Sequence, residues 1–426
     1  MITVWMAVAV TIGAIYALIK RLETRLVLLA AGFLMAILSL DPMEAFRQFD
    51  KSMTNGGLIV SICSAMGFAA VVSLTKCDVH LVSLLTKPLK KMGVLLLPMC
   101  MIVTGCVAVA IPSTAGCMAA VSPTLVPLLV RSGFTPVMAA AGLVAAITPA
   151  VYNPGGAHNV FIAKIANMEV MDFIGMFSGT TLLATGVIIV LMTLVCVFLK
   201  EYSSKNAGTE HAVQSGAQGK KMPEIPANPN VLYAIAPLVP VALLIASAIW
   251  MPELKMSVAT AMLIGAIYAL AVTRTNPAEA TKRFFEGMGR GYCNILGIII
   301  AAGVFAAGLR AAGVIDLFVD YLTQANDVAK IGGTFGPYIM GVLTGSGDAS
   351  TFAFNEAVTP YAEQFGMDPE TLGYLAMMSG HFGRLSSPLA GGLILVAGVA
   401  GVNPLDIVKR TAPVMFLSLL LIFFVM

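Results

Sequence analysis

Long apolar runs alternate with short polar stretches along the whole chain, and this pattern predicts membrane-crossing helices. Several runs approach the roughly 20 residues that an α-helix needs to cross the hydrocarbon core of a bilayer. Two stretches, 41–55 and 276–290, are amphipathic instead, and they predict helices that lie in the membrane interface. The apolar runs lie near residues 2–19, 26–40, 57–75, 92–111, 116–130, 136–166, 176–199, 231–250, 256–273, 292–309, 331–345, 349–362, 370–400 and 411–426.

The second half of the chain resembles the first half at a nearly constant offset. The sequence DPMEA at 41–45 matches NPAEA at 276–280, and Ser113 matches Ser346 further along. Transporter folds often contain such internal duplications. We therefore expect a first repeat over the N-terminal part of the chain and a second repeat over the C-terminal part.

A polar segment separates the two predicted repeats, which cover residues 1–200 and 231–426. Residues 201–230 are rich in Gly, Ser, Pro and Asn. This composition is typical of a flexible linker. We expect the linker to lie in the cytoplasm.

Neighbouring apolar runs at 92–131 and at 331–365 enclose short polar tips, and each pair predicts a re-entrant hairpin. If both pairs are hairpins, each repeat crosses the membrane five times, so the second repeat is inverted. With the N-terminus outside, most of the 25 Lys and Arg residues fall on the inner side, as the positive-inside rule requires. The expected fold is all-α and polytopic, with ten crossings, two hairpins, two broken helices and both termini periplasmic.

The composition supports a membrane protein and excludes several other classes. Hydrophobic residues make up 58% of the chain and charged residues only 11%, against about 25% in a soluble domain. We therefore expect a multi-pass protein of the bacterial inner membrane, in contact with lipid. No nucleotide-binding or zinc-protease motif is present, and nothing suggests nucleic-acid binding.

Two of the long apolar segments carry polar interruptions that predict broken helices. The segment 136–166 contains TPAVYNPGGAHN, and the segment 370–400 contains HFGRLSSPLAGG. Irregular backbone at membrane depth is tolerated only where protein buries it or where it lines a cavity. Helix N-termini there suit carboxylates, and freed carbonyl groups suit small cations. We expect both interruptions and both hairpin tips to meet near the midplane.

Charged residues in these segments are the first candidates for function. Arg384 could bind a substrate carboxylate as a two-pronged fork, or it could form a structural ion pair with Asp348. Asp348 could carry a coupling proton, bind sodium, or only pair with Arg384. Glu356 could couple cation movement, or it could serve packing or gating.

Polar residues at the four breaks form the rest of the predicted substrate site. Ser and Thr side chains could instead bond to their own helix backbone, and each histidine could be an ordinary hydrogen-bonded residue. A sodium ion is conceivable near Ser113, Asn153, Ser346 and Ser387. The predicted binding set is Ser113, Thr114, Asn153, Gly155, Gly156, His158, Asn159, Ser346, Ser350, Thr351, His381, Ser386 and Ser387.

Three segments, AVYNPGGAHNVFIAKI, GSGDASTFAFNEAVTP and GHFGRLSSPLAGG, resemble the ion transporter superfamily and, within it, the DcuC family of anaerobic C4-dicarboxylate carriers. The resemblance implies an elevator mechanism and a homodimer. It implies transport of succinate, fumarate, malate or aspartate by exchange or by cation coupling. Sodium-coupled relatives carry Ser-Asn-Thr triplets, which the tips PSTAG and GSGDAST lack. A proton carried on Asp348 is therefore a rival to sodium.

Two alternatives to a dicarboxylate carrier remain at this stage. The same fold could carry another organic anion, such as a monocarboxylate, a tricarboxylate or an amino-acid derivative. A polytopic membrane enzyme would have to use His158, His381 and Asp348, and no local metal motif supports that function. We expect no cofactor other than a coupling Na⁺ or H⁺, and no catalytic residues.

Overall fold

The computed structural model describes residues 2–20, 22–86, 93–111, 114–203, 228–250, 256–314 and 326–426. Nearly all of these residues lie in helices, and the β-type pairing among them is one isolated bridge between Phe134 and Tyr202. The prediction of an all-α protein with several apolar helices is confirmed. The predicted linker, 201–230, lies mostly outside the described residues.

Three helices of the first half begin at residues whose side chains cap them: Glu23, Asn55 and Thr135. The Asn55 side chain accepts a hydrogen bond from the backbone N–H of Leu58, and Thr135 accepts one from Met138. Such caps satisfy N–H groups that have no partner within the helix. In chain order the helices are α1 (Ile2–Ile19), α2 (Thr24–Leu38), α3 (Pro42–Met53), α4 (Gly56–Leu74), α5 (Cys77–Thr86), α6 (Leu96–Ala110), α7 (Thr114–Arg131), α8 (Pro136–Ala145), α9 (Ala157–Ile165) and α10 (Val170–Phe198).

The second half of the chain adds a similar series of helices. A π-helical turn at Tyr292–Leu296 joins α14 directly to α15, whereas Thr54 and Asn55 separate α3 from α4. The helices are α11 (Val231–Ile235), α12 (Val239–Trp250), α13 (Val258–Thr273), α14 (Pro277–Gly291), α15 (Gly297–Ala311), α16 (Asn326–Thr344), α17 (Gly347–Ala357), α18 (Pro369–Leu385), α19 (Gly391–Ala400) and α20 (Pro404–Val425).

Several of these helices are long and apolar enough to cross a membrane. Within the described ranges, five continuous spans pass by length and composition, and the bent pair Pro136–Tyr152 and Ala157–Ile165 could form a sixth. Its two parts meet at an angle of 42°. Six shorter apolar helices accompany them, so the count of ten crossings stays a prediction.

A large apolar core joins helices from both halves of the chain, and we name these helices the site bundle: α6–α10 and α18–α20. Its core residues include Leu97 on α6, Leu125 on α7 and Met415 on α20, all fully buried. The Tyr374 hydroxyl on α18 lies 2.8 Å from the Thr181 hydroxyl on α10, which ties the two halves together. Both broken helices and the first hairpin are thus held by one packed unit.

Two further apolar clusters unite the helices that we name the frame: α1–α4 and α11–α15. The first of these clusters also includes buried residues of α9 and α17. Its helices α2 and α15 approach closely at two glycines. A Cβ atom added at Gly308 would lie 2.5 Å from the carbonyl oxygen of Gly32, which is closer than van der Waals contact allows. Small residues permit such backbone contact between membrane helices.

Candidate functional site

The first break lies between α8 and α9 and is braced by two buried asparagines. The Asn153 side chain donates to the Val109 carbonyl (2.7 Å) and accepts from the Gly155 N–H (2.8 Å). The Asn159 side chain donates to the carbonyls of Val151 (2.7 Å) and Asn153 (2.9 Å). Because Val109 belongs to α6, Asn153 fastens the break to the first hairpin. Both amides thus hold backbone that the broken helix leaves unpaired.

The second break lies between α18 and α19 and is held by two buried serines. The Ser386 hydroxyl donates to the Phe382 carbonyl (2.9 Å) and accepts from the Tyr338 hydroxyl (3.2 Å). The Ser387 hydroxyl accepts from the Leu389 N–H at 3.3 Å. Neither serine lines the cavity described next, so the structure places them behind the site rather than in it.

Both breaks and both hairpin tips border one central cavity of about 440 Å³. This volume falls within the range of about 300–1,000 Å³ that is typical of small-molecule sites. Frame residues, including Ile62, Met66 and Asn294, close the other side. The predicted site residues that line the cavity are Thr114, Gly155, Gly156, His158, Asn159, Ser346, Asp348, His381 and Arg384.

A cluster of four ionisable side chains occupies the cavity wall. One Asp348 carboxylate oxygen lies 3.0 Å from Nε2 of His158 and 3.3 Å from a terminal nitrogen of Arg384. The second terminal nitrogen of Arg384 lies 3.3 Å from Nδ1 of His381. His158 also stacks on the Phe352 ring, with 4.2 Å between ring centroids. The structural pair of Arg384 with Asp348 is therefore present, and it lies in the cavity rather than apart from it.

Three nitrogens of this cluster are left without a protein partner among the described residues. They are Nε of Arg384, Nδ1 of His158 and Nε2 of His381, and all three are buried. A buried polar atom without a partner costs about 1–3 kcal/mol, so such atoms call for an explanation. Nε of Arg384 can donate, and so can Nε2 of His381, because Arg384 faces the Nδ1 atom of that ring. Nδ1 of His158 accepts when its Nε2–H donates to Asp348. Their concentration beside one cavity favours a polar ligand there.

Two more predicted residues are engaged within the second hairpin. The Ser350 hydroxyl donates to the Gly347 carbonyl (3.0 Å), and the Thr351 hydroxyl donates to the Ala376 carbonyl (3.3 Å). Neither lines the central cavity. The Thr351 hydroxyl ties the hairpin to α18, and the Ser350 hydroxyl bonds within the hairpin. Both bonds are the backbone-bonding alternative for Ser and Thr. Ser113 lies outside the described residues.

Glu356 lies away from the central cavity, in a polar contact between α17 and the frame. Nε2 of Gln48 donates to the Glu356 carboxylate (3.2 Å), and Arg310 donates to the Gln48 amide oxygen (3.1 Å). Arg310 also lies 3.8 Å from the Glu44 carboxylate. The structure thus places Glu356 in a contact between α17 and the frame, as the packing or gating alternative requires.

Sequence reasoning missed the residues that the frame contributes to the cavity. Asn294 lies within the π-helical turn Tyr292–Leu296 and faces the cavity. π-helical turns often occur at functional sites, but their register is not visible in a sequence. An asparagine inside the apolar run 292–309 was the available signal. Ile62 and Met66 carried no signal, because an apolar wall residue looks like any core residue.

A family model described as the C4-dicarboxylate anaerobic carrier, DcuC, matches residues 6–426. The DcuC transporter of Escherichia coli K12 is 26% identical over 448 aligned positions, which cover 97% of this chain and 94% of its own. An uncharacterized transporter of Haemophilus influenzae is 39% identical over 274 residues, which are 63% of this chain and 97% of its own. Both relatives are transporters by name.

Solved structures place the fold among transporters as well. The YdaH transporter of Alcanivorax borkumensis matches 89% of this chain and 86% of its own, with a TM-score of 0.63 and 16% identity. MtrF of Neisseria gonorrhoeae matches 92% of this chain and 83% of its own, also with a TM-score of 0.63, at 15% identity.

The apolar helices and the polar cavity among their breaks define a multi-pass membrane transporter rather than an enzyme. Within that class, the chain belongs to the DcuC family of C4-dicarboxylate carriers. The alternative of a membrane enzyme is thereby excluded.

Proposed function

We propose that this protein is a secondary carrier of C4-dicarboxylates, such as succinate, fumarate, malate or aspartate, in the bacterial inner membrane. The observation that carries the proposal is one cavity that combines Arg384 with the N-terminal ends of several helices. The family supplies the substrate class, and the cavity supplies a chemical reason for it. Exchange and cation-coupled transport are both compatible with this site.

Four helices begin at the central cavity. The first turns of α7 at Thr114, α9 at Ala157, α17 at Gly347 and α19 at Gly391 all contribute to its wall. The N-terminus of a helix carries the equivalent of roughly half a positive charge and presents N–H groups without helical partners. Four such ends around one cavity favour a ligand with more than one negative charge. A dicarboxylate fits this requirement.

Asp348 and a substrate carboxylate would compete for the same partner. In the described structure Asp348 pairs with Arg384 and His158. If Asp348 takes up a proton, its attraction for the guanidinium falls, and Arg384 becomes available to hold a carboxylate in a forked pair. We infer that this exchange of partners links substrate binding to a proton. His158 and His381 are the other titratable groups that face it.

The oxygens proposed for sodium suit that ion less well. The side-chain oxygens of Asn153 and Ser387 already accept backbone N–H groups, at 2.8 and 3.3 Å. Only Ser346, of the described candidates, lines the central cavity. This arrangement supports a proton rather than Na⁺ as the coupling ion.

An elevator movement and a homodimer are the further parts of the proposal. The site bundle contains the first hairpin, both broken helices and the helix that follows each, which the family resemblance assigns to the moving domain. The frame clusters contain the helices that it assigns to the scaffold. The site bundle has a large core of its own, which supports a body that moves as a unit. The contacts of Phe161 on α9 and Phe352 on α17 with the frame would have to slide or re-form during this movement. Light scattering of purified protein tests the dimer.

The decisive experiment is transport in liposomes. Purified protein should exchange labelled succinate. In a panel of mono-, di- and tricarboxylates, the dicarboxylates should compete best for this exchange. We expect Arg384→Ala to lower exchange by about 100-fold, because it removes the guanidinium proposed to hold a substrate carboxylate, and losing one partner of such a close charge pair costs several kcal/mol. Arg384→Lys keeps the charge but loses the fork, so it should retain part of the rate.

Two controls separate site effects from folding. Arg47→Ala removes an exposed arginine on α3 and should leave exchange unchanged. Thermal unfolding without substrate checks that the Arg384 variants fold.

Varying the proton and sodium gradients separately tests coupling, and Asp348→Asn should uncouple flux from the proton gradient. Wild-type exchange by Arg384→Ala, or competition by non-dicarboxylates alone, would overturn the proposal.

A further inference from the structure

A second cavity of about 680 Å³ lies between the frame and the first hairpin. Small residues on α4, such as Ala70 and Ser73, form one wall, and Ala119 and Ala120 on α7 form the opposite wall. Its position beside the hairpin, away from Arg384, makes it distinct from the central cavity. The function proposed above does not account for it.

The tip of the first hairpin separates the two cavities. Thr114 and Ala115 line the central cavity, whereas Ile111 and Gly116 line the second one. Met66 on α4 borders both. A ligand that moves from the second cavity to the central one therefore passes beside these residues.

Positive charge lines the second cavity. Arg283 and Arg290 project into it from α14, and their spacing of seven residues places them on one face, two turns apart. Arg283 pairs with Glu286 at 3.1 Å, whereas Arg290 has no ion pair within the part of the chain that the structure describes. Asp78 on α5 is the one acidic residue of the wall. The arginines are well placed to attract an anion.

The matching region of the other half is built differently. The repeat pattern aligns Arg283 with Gln48 and Arg290 with Asn55, so both arginines have uncharged counterparts. There the second hairpin packs against the frame through Phe352, and Gln48 bonds to Glu356 at 3.2 Å. The arginines thus occur on the side where hairpin and frame stand apart, and they have no counterpart on the packed side.

We propose that the second cavity is an anion-binding antechamber, in which Arg283 and Arg290 hold a dicarboxylate before it passes the hairpin tip to the central site. This inference rests on the proposed carrier function. The positive-inside prediction places α14 on the cytoplasmic face, so the antechamber serves substrate on that side. Its ligand class is a small dianion, held loosely enough to move on.

The first test measures charge in the cavity without any substrate. Ala119→Cys provides a thiol there, in a background with the exposed Cys106 and Cys293 replaced. Its rate of modification by an anionic thiol reagent is divided by the rate with a cationic reagent. The double variant Arg283→Gln and Arg290→Asn should lower this ratio about 10-fold. Lys282→Gln, a neighbouring exposed charge on α14 outside the cavity wall, should leave it nearly unchanged.

The second test measures succinate uptake from the face that carries α14. The same double variant should raise KM about 3- to 10-fold with little change in maximal rate, and the effect should shrink at about 1 M salt. An unchanged modification ratio, an unchanged KM, or an equal effect of Lys282→Gln would overturn the antechamber. Failure of the carrier function itself appears separately, as absent succinate exchange by the wild-type protein.

Discussion

Asp348 accepts hydrogen bonds from two residues that are far apart in the chain, His158 on α9 and Arg384 on α18. The sequence indicated all three, because ionisable residues in apolar segments are costly unless they serve a site. It did not indicate that Ser386 and Ser387 would face away from the cavity. Side-chain direction at an irregular break depends on backbone angles that no periodicity encodes. Residue type was therefore predictable there, and orientation was not.

Asp78 is a residue whose charge should tune the antechamber. Burial raises the pKa of its carboxyl to about 6, although a backbone N–H bond from Val79 acts in the opposite direction. It lies on α5, which is not among the apolar spans of the described chain. Arg283 and Arg290 line the same cavity, and the charge of Asp78 acts on the neighbouring Cys77 thiol, whose pKa it helps to raise. Above about pH 6 its negative charge opposes dianion entry.

We expect Asp78→Asn to lower the KM for succinate about threefold at pH 7.5. The difference in KM between the variant and the wild type should disappear near pH 5, where the wild-type carboxyl is also neutral. The midpoint of this change should lie near pH 6. Dividing the wild-type KM by that of the variant at each pH cancels the ionisation of the substrate. A ratio that stays constant across this range would contradict the assignment.

The helical elements followed from the sequence more completely than the side-chain directions did. Pro and Gly in 148–159 and 381–392 predicted interruptions of the helices, and the chain bends or breaks at both places. The π-helical turn at Tyr292–Leu296 was not foreseeable, because one extra residue per turn leaves no mark on an apolar run. That turn brings Asn294 to the cavity wall. Local chemistry predicts where a helix stops, but not how it is wound.

Gly308→Ala should weaken the crossing of α2 and α15. The added methyl group would lie 2.5 Å from the Gly32 carbonyl oxygen, so the helices must separate or bend. We expect a loss of about 1–3 kcal/mol, as for other overpacked contacts, and a lower Tm in detergent. Gly186→Ala on α10 is the matched control, since no atom lies within 4 Å of its added Cβ. Equal stability of the two variants would disprove the close crossing.

At the scale of the whole molecule, the two hairpins meet the frame in different ways. The second hairpin packs on α15 and bonds to Gln48 through Glu356, whereas the first stands across a cavity from α4. If the halves are inverted repeats, this difference describes a carrier open toward one side and closed toward the other. The sequence could not predict the difference. Two halves with the same repeat pattern can each pack their hairpin on the frame or hold it apart, and the pattern does not say which half does which.

The Gln48–Glu356 contact should open during each transport cycle. In a background without Cys106 and Cys293, cysteines at 48 and 356 should react with a short, cleavable bifunctional thiol reagent. Cross-linking should stop succinate exchange, and cleavage should restore the rate measured before treatment. Full exchange by the cross-linked protein would show that this side stays closed throughout.

A second cysteine pair serves as the control for this experiment. Arg283→Cys with Ala119→Cys places thiols on different walls of the second cavity. The same short reagent should join this pair poorly in the resting protein, because the walls stand apart. Efficient cross-linking of both pairs would mean that the two sides do not differ in solution.

The helix ends around the central cavity also bear on how this protein can diversify. The positive potential at Thr114, Ala157, Gly347 and Gly391 comes from peptide dipoles, which every amino acid supplies. Point substitutions therefore leave much of the preference for anions in place. In the proposed site, discrimination among anions would depend on a few side chains, chiefly Arg384, His158 and His381. Descendants of this sequence should exchange one acid for another far more readily than they would come to accept cations or neutral solutes.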